Sequence, residues 1–118
     1  MREPSKEEDQ IIRFLIGKAR DEHTLSARLG PYMVQEMQDG GMGSLYIIPN
    51  DIPPKRKRET GPVVAEIHSS DDDGIELFIS LFLDTSLIPF ELDIWKVDFS
   101  PTHSLSRVIL DIDLVSKK

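Results

Sequence analysis

Apolar and polar residues alternate most regularly over Ile75–Phe99 (IELFISLFLDTSLIPFELDIWKVDF). Ile75, Leu77, Ile79, Leu81 and Leu83 alternate with Glu76, Phe78, Ser80, Phe82 and Asp84. This period of two sends successive side chains to opposite faces of a strand. After Asp84–Pro89 the pattern resumes as Phe90, Leu92 and Ile94 against Glu91, Asp93 and Trp95. An antiparallel pair in which Leu83 faces Phe90 sets Leu81 against Leu92 and Ile79 against Ile94. One face is then aliphatic, and the other carries Phe78, Ser80 and Phe82 beside Trp95, Asp93 and Glu91.

The spacing changes near the N-terminus. Ile11, Ile12, Leu15, Ile16 and Ala19 form an apolar stripe with helical period, widened by Phe14, and predict a helix over Pro4–Ala19. Ser5 and Glu8 make a capping box, and Glu7, Glu8 and Asp9 suit the positive end of the helix dipole. A further short helical turn is expected over Thr24–Leu29, stopped by Gly30-Pro31. Strands are expected over Tyr32–Gln38, Ser44–Ile48 and Val63–Ser69. Asp39, Gly40, Gly41 and Gly43 form a turn between the first two, because glycine tolerates the positive φ that a bulged hairpin loop demands.

The turn Asp71-Asp72-Asp73-Gly74 leads into the central pair. A simple register across it would set Glu66 beside Ile79 and spoil the aliphatic face. A one-residue bulge near the turn, placing Ile67 against Ile79 and Ala65 against Leu81, is therefore expected. Val108, Leu110, Ile112 and Leu114 alternate with Ile109, Asp111, Asp113 and Val115, which predicts a last strand over about 105–115. The reading is a single α+β domain over 1–118. Its N-terminal helix packs on a mainly antiparallel meander sheet of five to six strands, and Ile11, Ile12 and Leu15 meet Ile79, Leu81, Leu92 and Ile94.

With 118 residues the chain can bury one modest core. Its 21 acids against 14 bases, a formal charge of −7, disfavour nucleic acid as a partner and suit a basic protein. It has no cysteine, hence no disulfide or thiolate chemistry, which fits a cytoplasmic location. No signal peptide or membrane-spanning segment is visible.

Candidate chemistry is sparse. Asp39–Gly43 lacks the following helix and the lysine of a phosphate cradle. Asp71–Asp73 lacks the alternate ligands and closing glutamate of a calcium loop. Lys55-Arg56-Lys57-Arg58 could mark a nucleic-acid patch, but no aromatic residue is interleaved for base stacking, so a solvated loop or local charge balance is favoured. His23, His68 and His103 have no nucleophile at recognisable spacing. Glu91 and Asp93 share a strand face, which Glu76 could join across the pair. Such carboxylates could do acid/base work or hold a hard cation.

DGGMGSL at Asp39–Leu45 and FELDIWKVDFSP at Phe90–Pro101 resemble a family of small uncharacterised bacterial proteins. The helix start, with Arg2, Pro4, Ser5, Glu7 and Glu8, fits the same family. The resemblance covers about 1–101 and implies a shared fold without an activity; the Pro53–Thr60 loop and the tail beyond His103 look like additions to it. In size and charge the chain is also similar to the immunity proteins of bacterial toxin systems. The leading expectation is a non-enzymatic protein-binding module, of the kind an immunity-type inhibitor of a basic toxin represents. Its contact residues are Glu91, Asp93 and Trp95 with Phe78 and Phe82, and no cofactor or metal is expected. The alternatives are a metal-dependent or acid/base hydrolase using Glu76, Glu91, Asp93 and His68, and a nucleic-acid accessory protein acting through Lys55–Arg58.

Overall fold

In the computed structural model, which describes residues 1–23, 28–53 and 55–116, the first helix (α1) spans Lys6–His23. Its start is the expected reciprocal cap: the Glu8 N–H donates to Ser5 Oγ at 3.1 Å and the Ser5 N–H to Glu8 Oε1 at 2.7 Å. Arg2 grips the same carboxylate with both terminal nitrogens, at 2.8 and 2.9 Å. The turn expected over Thr24–Leu29 falls largely outside the described residues.

Five strands follow: β1 (Tyr32–Glu36), β2 (Leu45–Pro49), β3 (Thr60–Ser70), β4 (Glu76–Asp84) and β5 (Pro89–Lys96). They form one antiparallel sheet in the order β1-β2-β5-β4-β3. The meander holds for β3, β4 and β5 but breaks between β2 and β3. The breaker-rich stretch after Pro49 makes no tight hairpin there, so β2 pairs with β5, Leu45 facing Leu92.

The central register is as read from the alternation, with Leu81 facing Leu92, Ile79 facing Ile94 and Phe78 facing Trp95. It shifts only at the hairpin end, where Leu83 faces Pro89 instead of Phe90 and Phe90 becomes the extra residue of a bulge. Across the acidic turn, Ile67 faces Ile79 and Ala65 faces Leu81. Gly74, at φ 82°, supplies the added residue in the left-handed region that closes this turn.

The expected C-terminal strand over 105–115 is instead a helix, α2 (Ser106–Ser116). Its apolar residues satisfy both periods, and packing selects the helical one. Val108 and Ile112 are buried and Leu105 and Ile109 pack beside them, whereas Leu110 and Leu114 are exposed. Ser104 Oγ accepts the Ser106 N–H at 3.1 Å and fixes the start. Asp111 and Asp113 accept bonds from Ser69 Oγ and Gln10 Nε2.

Both helices pack on the aliphatic side of the sheet. Ile11, Ile12, Leu15, Val108 and Ile112 share one core with Ile79, Leu81, Leu92 and Ile94. The outer edge of β1 is bridged by the N-terminal segment, where Arg2 and Val34 exchange two backbone bonds of 2.9 and 2.7 Å. Among the described residues no helix is long and apolar enough to cross a membrane.

Candidate functional site: the open face of the sheet

With both helices on one side, the opposite face of β3, β4 and β5 lies open. Strand register fixes its layout. His68, Phe78 and Trp95 form one cross-strand row; Glu66, Ser80 and Asp93 form the next; Val63, Phe82 and Glu91 form the third. Tyr46 extends the third row, facing Glu91 from β2. The C-terminal segment leaves the rings uncovered: Phe78 is 38% exposed and Trp95 and Tyr46 are each 41% exposed.

The rings form a ladder. The His68 imidazole stacks on Phe78 with centroids 4.3 Å apart, Phe78 on Trp95 at 5.5 Å, and Trp95 meets Phe99 at 6.2 Å. Phe99 adopts φ 62° and stands out from the surface. Cross-strand stacking of this kind holds apolar area rigidly at the surface.

The carboxylates beside the ladder are uncompensated. Among the described residues Glu66, Glu91 and Asp93 form no ion pair. Asp93 accepts only a 3.3 Å bond from Ser44 Oγ, and Glu66 a 3.5 Å bond from Ser80 Oγ. Burial raises the Glu91 carboxyl above its ordinary range, and the neighbouring Asp93 charge pushes the same way.

Glu76 does not join this set. It pairs with His68 Nε2 at 3.1 Å, and the register separates it from Glu91 by six residues along the hairpin, roughly 20 Å. The proposed carboxylate cluster of a hydrolase is thus divided, with only Glu91 and Asp93 adjacent.

The basic loop is also divided. Lys55, Arg56 and Lys57 are exposed, but Arg58 is drawn inward. Its Nε donates to Asp84 at 2.8 Å, Nη1 to the Ile47 carbonyl at 2.7 Å and Nη2 to the Pro89 carbonyl at 2.6 Å. Its guanidinium lies 4.8 Å from the Phe90 ring centroid. This arginine pins the crossing between β2 and β3.

The acidic turn has its own cation. Lys96, wholly buried on the aliphatic side, places Nζ 2.8 Å from Asp71 and 2.7 Å from Asp73. Asp71 also accepts the N–H groups of Asp72, His103 and Ser104. Burial opposes its ionisation, but the ammonium and these three donors outweigh it and hold the carboxyl well below the usual range. Potential ligand atoms of Asp71, Asp72 and His103 lie within 4.8 Å of one another. Lys96 Nζ stands 2.8 Å from Oδ2 of the same Asp71 carboxylate.

In the glycine turn, Gly40, Gly41 and Gly43 have φ of 73°, 82° and 105°, and Asp39 Oδ2 accepts the Ser44 N–H at 2.9 Å. A β-carbon at Gly41 would stand 3.2 Å from the Pro101 side chain, and the Gly41 carbonyl accepts the Thr102 N–H at 3.0 Å. The turn therefore seats the segment leading into α2. The cleft of about 380 Å³ beside it is lined by Glu7 and Glu8 and, among the described residues, by no lysine or arginine, the wrong charge for phosphate.

A family described as a domain of unknown function (DUF6984) matches residues 1–106. The chain belongs to this family. A search of curated proteins finds no match, nor does a search of solved structures. The DUF6984 match takes in α1, all five strands and the seat on the glycine turn, and ends where α2 begins. Every residue of the open face thus lies within the DUF6984 region.

Sequence reasoning placed Phe78, Phe82, Glu91, Asp93 and Trp95 on one face, and the register brings them together there. It missed Tyr46, and it named His68 for the hydrolase alternative and not as a member of the ring ladder. Tyr46 alternates with Leu45 and Ile47, a legible sign of an outward side chain, but its place beside Glu91 follows only from the β2–β5 pairing.

Proposed function

We propose that this DUF6984 protein is a non-enzymatic binding module that captures a basic protein on the open face of its sheet. One observation carries the reading: Glu66, Glu91 and Asp93, without ion pairs among the described residues, share a surface with exposed stacked rings. Aromatic side chains supply rigid contact area, and unpaired carboxylates steer and orient a cationic partner. The formal charge of −7 adds a long-range attraction of the same sign. Glu91, Asp93 and Trp95 are the primary contacts, with Phe78 and Phe82 beside them. Inhibition of a cationic toxin, as immunity proteins perform, is the role this chemistry suits.

The test compares retention of cationic proteins by the wild type with that by a Glu91→Lys, Asp93→Lys variant. A partner held by the wild type should be lost from the double variant and kept by Lys55→Glu, Lys57→Glu. Both variants should retain the wild-type melting temperature. Equal retention by the wild type and the double variant would sink the proposal.

A further inference from the structure

The two edges of the sheet are finished differently. The outer edge of β1 is closed by the N-terminal segment, through the backbone bonds between Arg2 and Val34. β3, at the opposite edge, has no such cover among the described residues. Its first half is blunted. The register shifts between Thr60 and Val63 and again between Val63 and Ala65, and Pro62 has no N–H to offer. Over residues 65–70 the pairing with β4 is regular.

One bond fixes which way the backbone groups of this regular stretch point. The Asp71 N–H donates to the Ile75 carbonyl at 2.9 Å, which makes Asp71 and Ile75 a bonded pair. Bonded and non-bonded pairs alternate along an antiparallel ladder. Ser69, Ile67 and Ala65 therefore bond Leu77, Ile79 and Leu81, whereas the N–H and C=O groups of Ser70, His68 and Glu66 point away from β4. No group among the described residues meets them there. Glu66 and His68 are exposed, so this edge faces solvent. A groove of about 380 Å³ adjoins it, between β3 and α1, lined by Lys18, Glu22, Val63, Val64, Ala65 and Glu66.

We propose that an extended, cationic segment of the basic partner adds to the sheet as a sixth strand along residues 66–70, an inference that rests on the docking reading above. The outward N–H and C=O groups supply affinity, since each gains a backbone partner. Charge supplies selectivity. A residue bonded opposite Glu66 stands about 5.5 Å away between Cα atoms and projects onto the open face. The Glu66 carboxylate holds only the 3.5 Å bond from Ser80 Oγ, so a lysine or arginine at that place makes a cross-strand ion pair with it. The row of Asp93, Ser80 and Glu66 is thereby extended by a cation. Alternate side chains of the segment fall on the groove side, where buried Val64 and Ala65 suit apolar residues. A second copy of β3 is disfavoured, because each chain carries a formal charge of −7 and the two repel.

The experiment is an NMR titration of the full chain, at fixed salt, with a short peptide of alternating valine and lysine and with the same peptide N-methylated at every residue. The two share charge and side chains, but the methylated peptide cannot donate a backbone bond. The unmodified peptide should slow hydrogen exchange at the amides of Glu66, His68 and Ser70, and the methylated one should bind about tenfold more weakly. Glu66→Lys should abolish binding of the unmodified peptide and leave the melting temperature near that of the wild type. Equal affinity of the two peptides would overturn strand addition and leave the docking reading standing. Binding of neither would also overturn strand addition, while the docking reading is decided separately by retention of cationic proteins. Protection of the same amides in the peptide-free chain, growing with protein concentration, would make a second copy the occupant and overturn the cationic strand.

Discussion

Lys96 and Asp71 form an ion pair of 2.8 Å in which both side chains are fully buried. The pair ties the turn between β3 and β4 to the end of β5 and to the segment entering α2, because Asp71 also binds the backbone of His103 and Ser104. Removing Asp71 strands three backbone donors and leaves the buried ammonium with Asp73 and the Pro101 carbonyl alone. Asp71→Ala should cost about 3–5 kcal/mol in chemical denaturation. Lys96→Met should cost less, since Asp71 keeps three N–H donors. Equal losses would show that the backbone bonds contribute nothing. The depressed Asp71 carboxyl also sets a pH dependence: its contribution is full above the ordinary value of 3.8 and is lost as pH falls through the lower folded value.

Arg58 is the exception within its own basic run. Its side chain is 10% exposed and serves a carboxylate, two carbonyls and a ring. Arg58→Ala should destabilise by about 3 kcal/mol, and Arg58→Lys should recover little of it, because the fork geometry is lost. Lys55→Ala and Lys57→Ala should stay within about 0.5 kcal/mol of wild type. Thermal or denaturant unfolding of the four variants decides this.

Glu91 is held in place at a cost to the fold. Its carboxyl is raised by burial and by Asp93, so the folded state binds a proton more readily than the unfolded chain does. Ionised Glu91 therefore opposes folding above the raised value, and the opposition disappears as pH falls to the ordinary 4.5. Glu91→Gln should raise the melting temperature at neutral pH and change nothing below about pH 4. It should also weaken capture of a cationic partner. A variant that is less stable at neutral pH would contradict this account.

The C-terminal helix offers a test of which period governs. Ile112→Ala should cost about 2–5 kcal/mol, whereas Leu110→Glu and Leu114→Glu should be close to neutral. A strand would have placed all three on one face and made them equally sensitive. Circular dichroism and unfolding midpoints distinguish the two patterns.

Much of the fold was legible because local patterns were unambiguous. Ser5 and Glu8 marked the helix start, and the run from Leu77 to Ile94 had only one register that kept the aliphatic face intact. Phe78, Phe82, Glu91, Asp93 and Trp95 were assigned to one face for the same reason. What escaped was non-local. The pairing of β2 with β5 depends on Arg58 reaching across a loop, and a charge run does not reveal which member turns inward. Nothing in the sequence singled out Lys96, since its partners lie on another turn. Residues 105–115 satisfied two periods at once, and tertiary contacts with α1 and β3 chose between them.

The two buried charge contacts sit at opposite ends of the β4–β5 hairpin, Lys96 beside its open end and Arg58 beside its turn. They act as rivets at both ends of the hairpin that carries the outer surface. Under the proposed docking, little ordering would be left for the moment of encounter, and affinity would be set by fit and charge instead of by induced rearrangement. A neutral residue at either rivet should therefore slacken recognition from a distance, without touching a single contact on the exposed side.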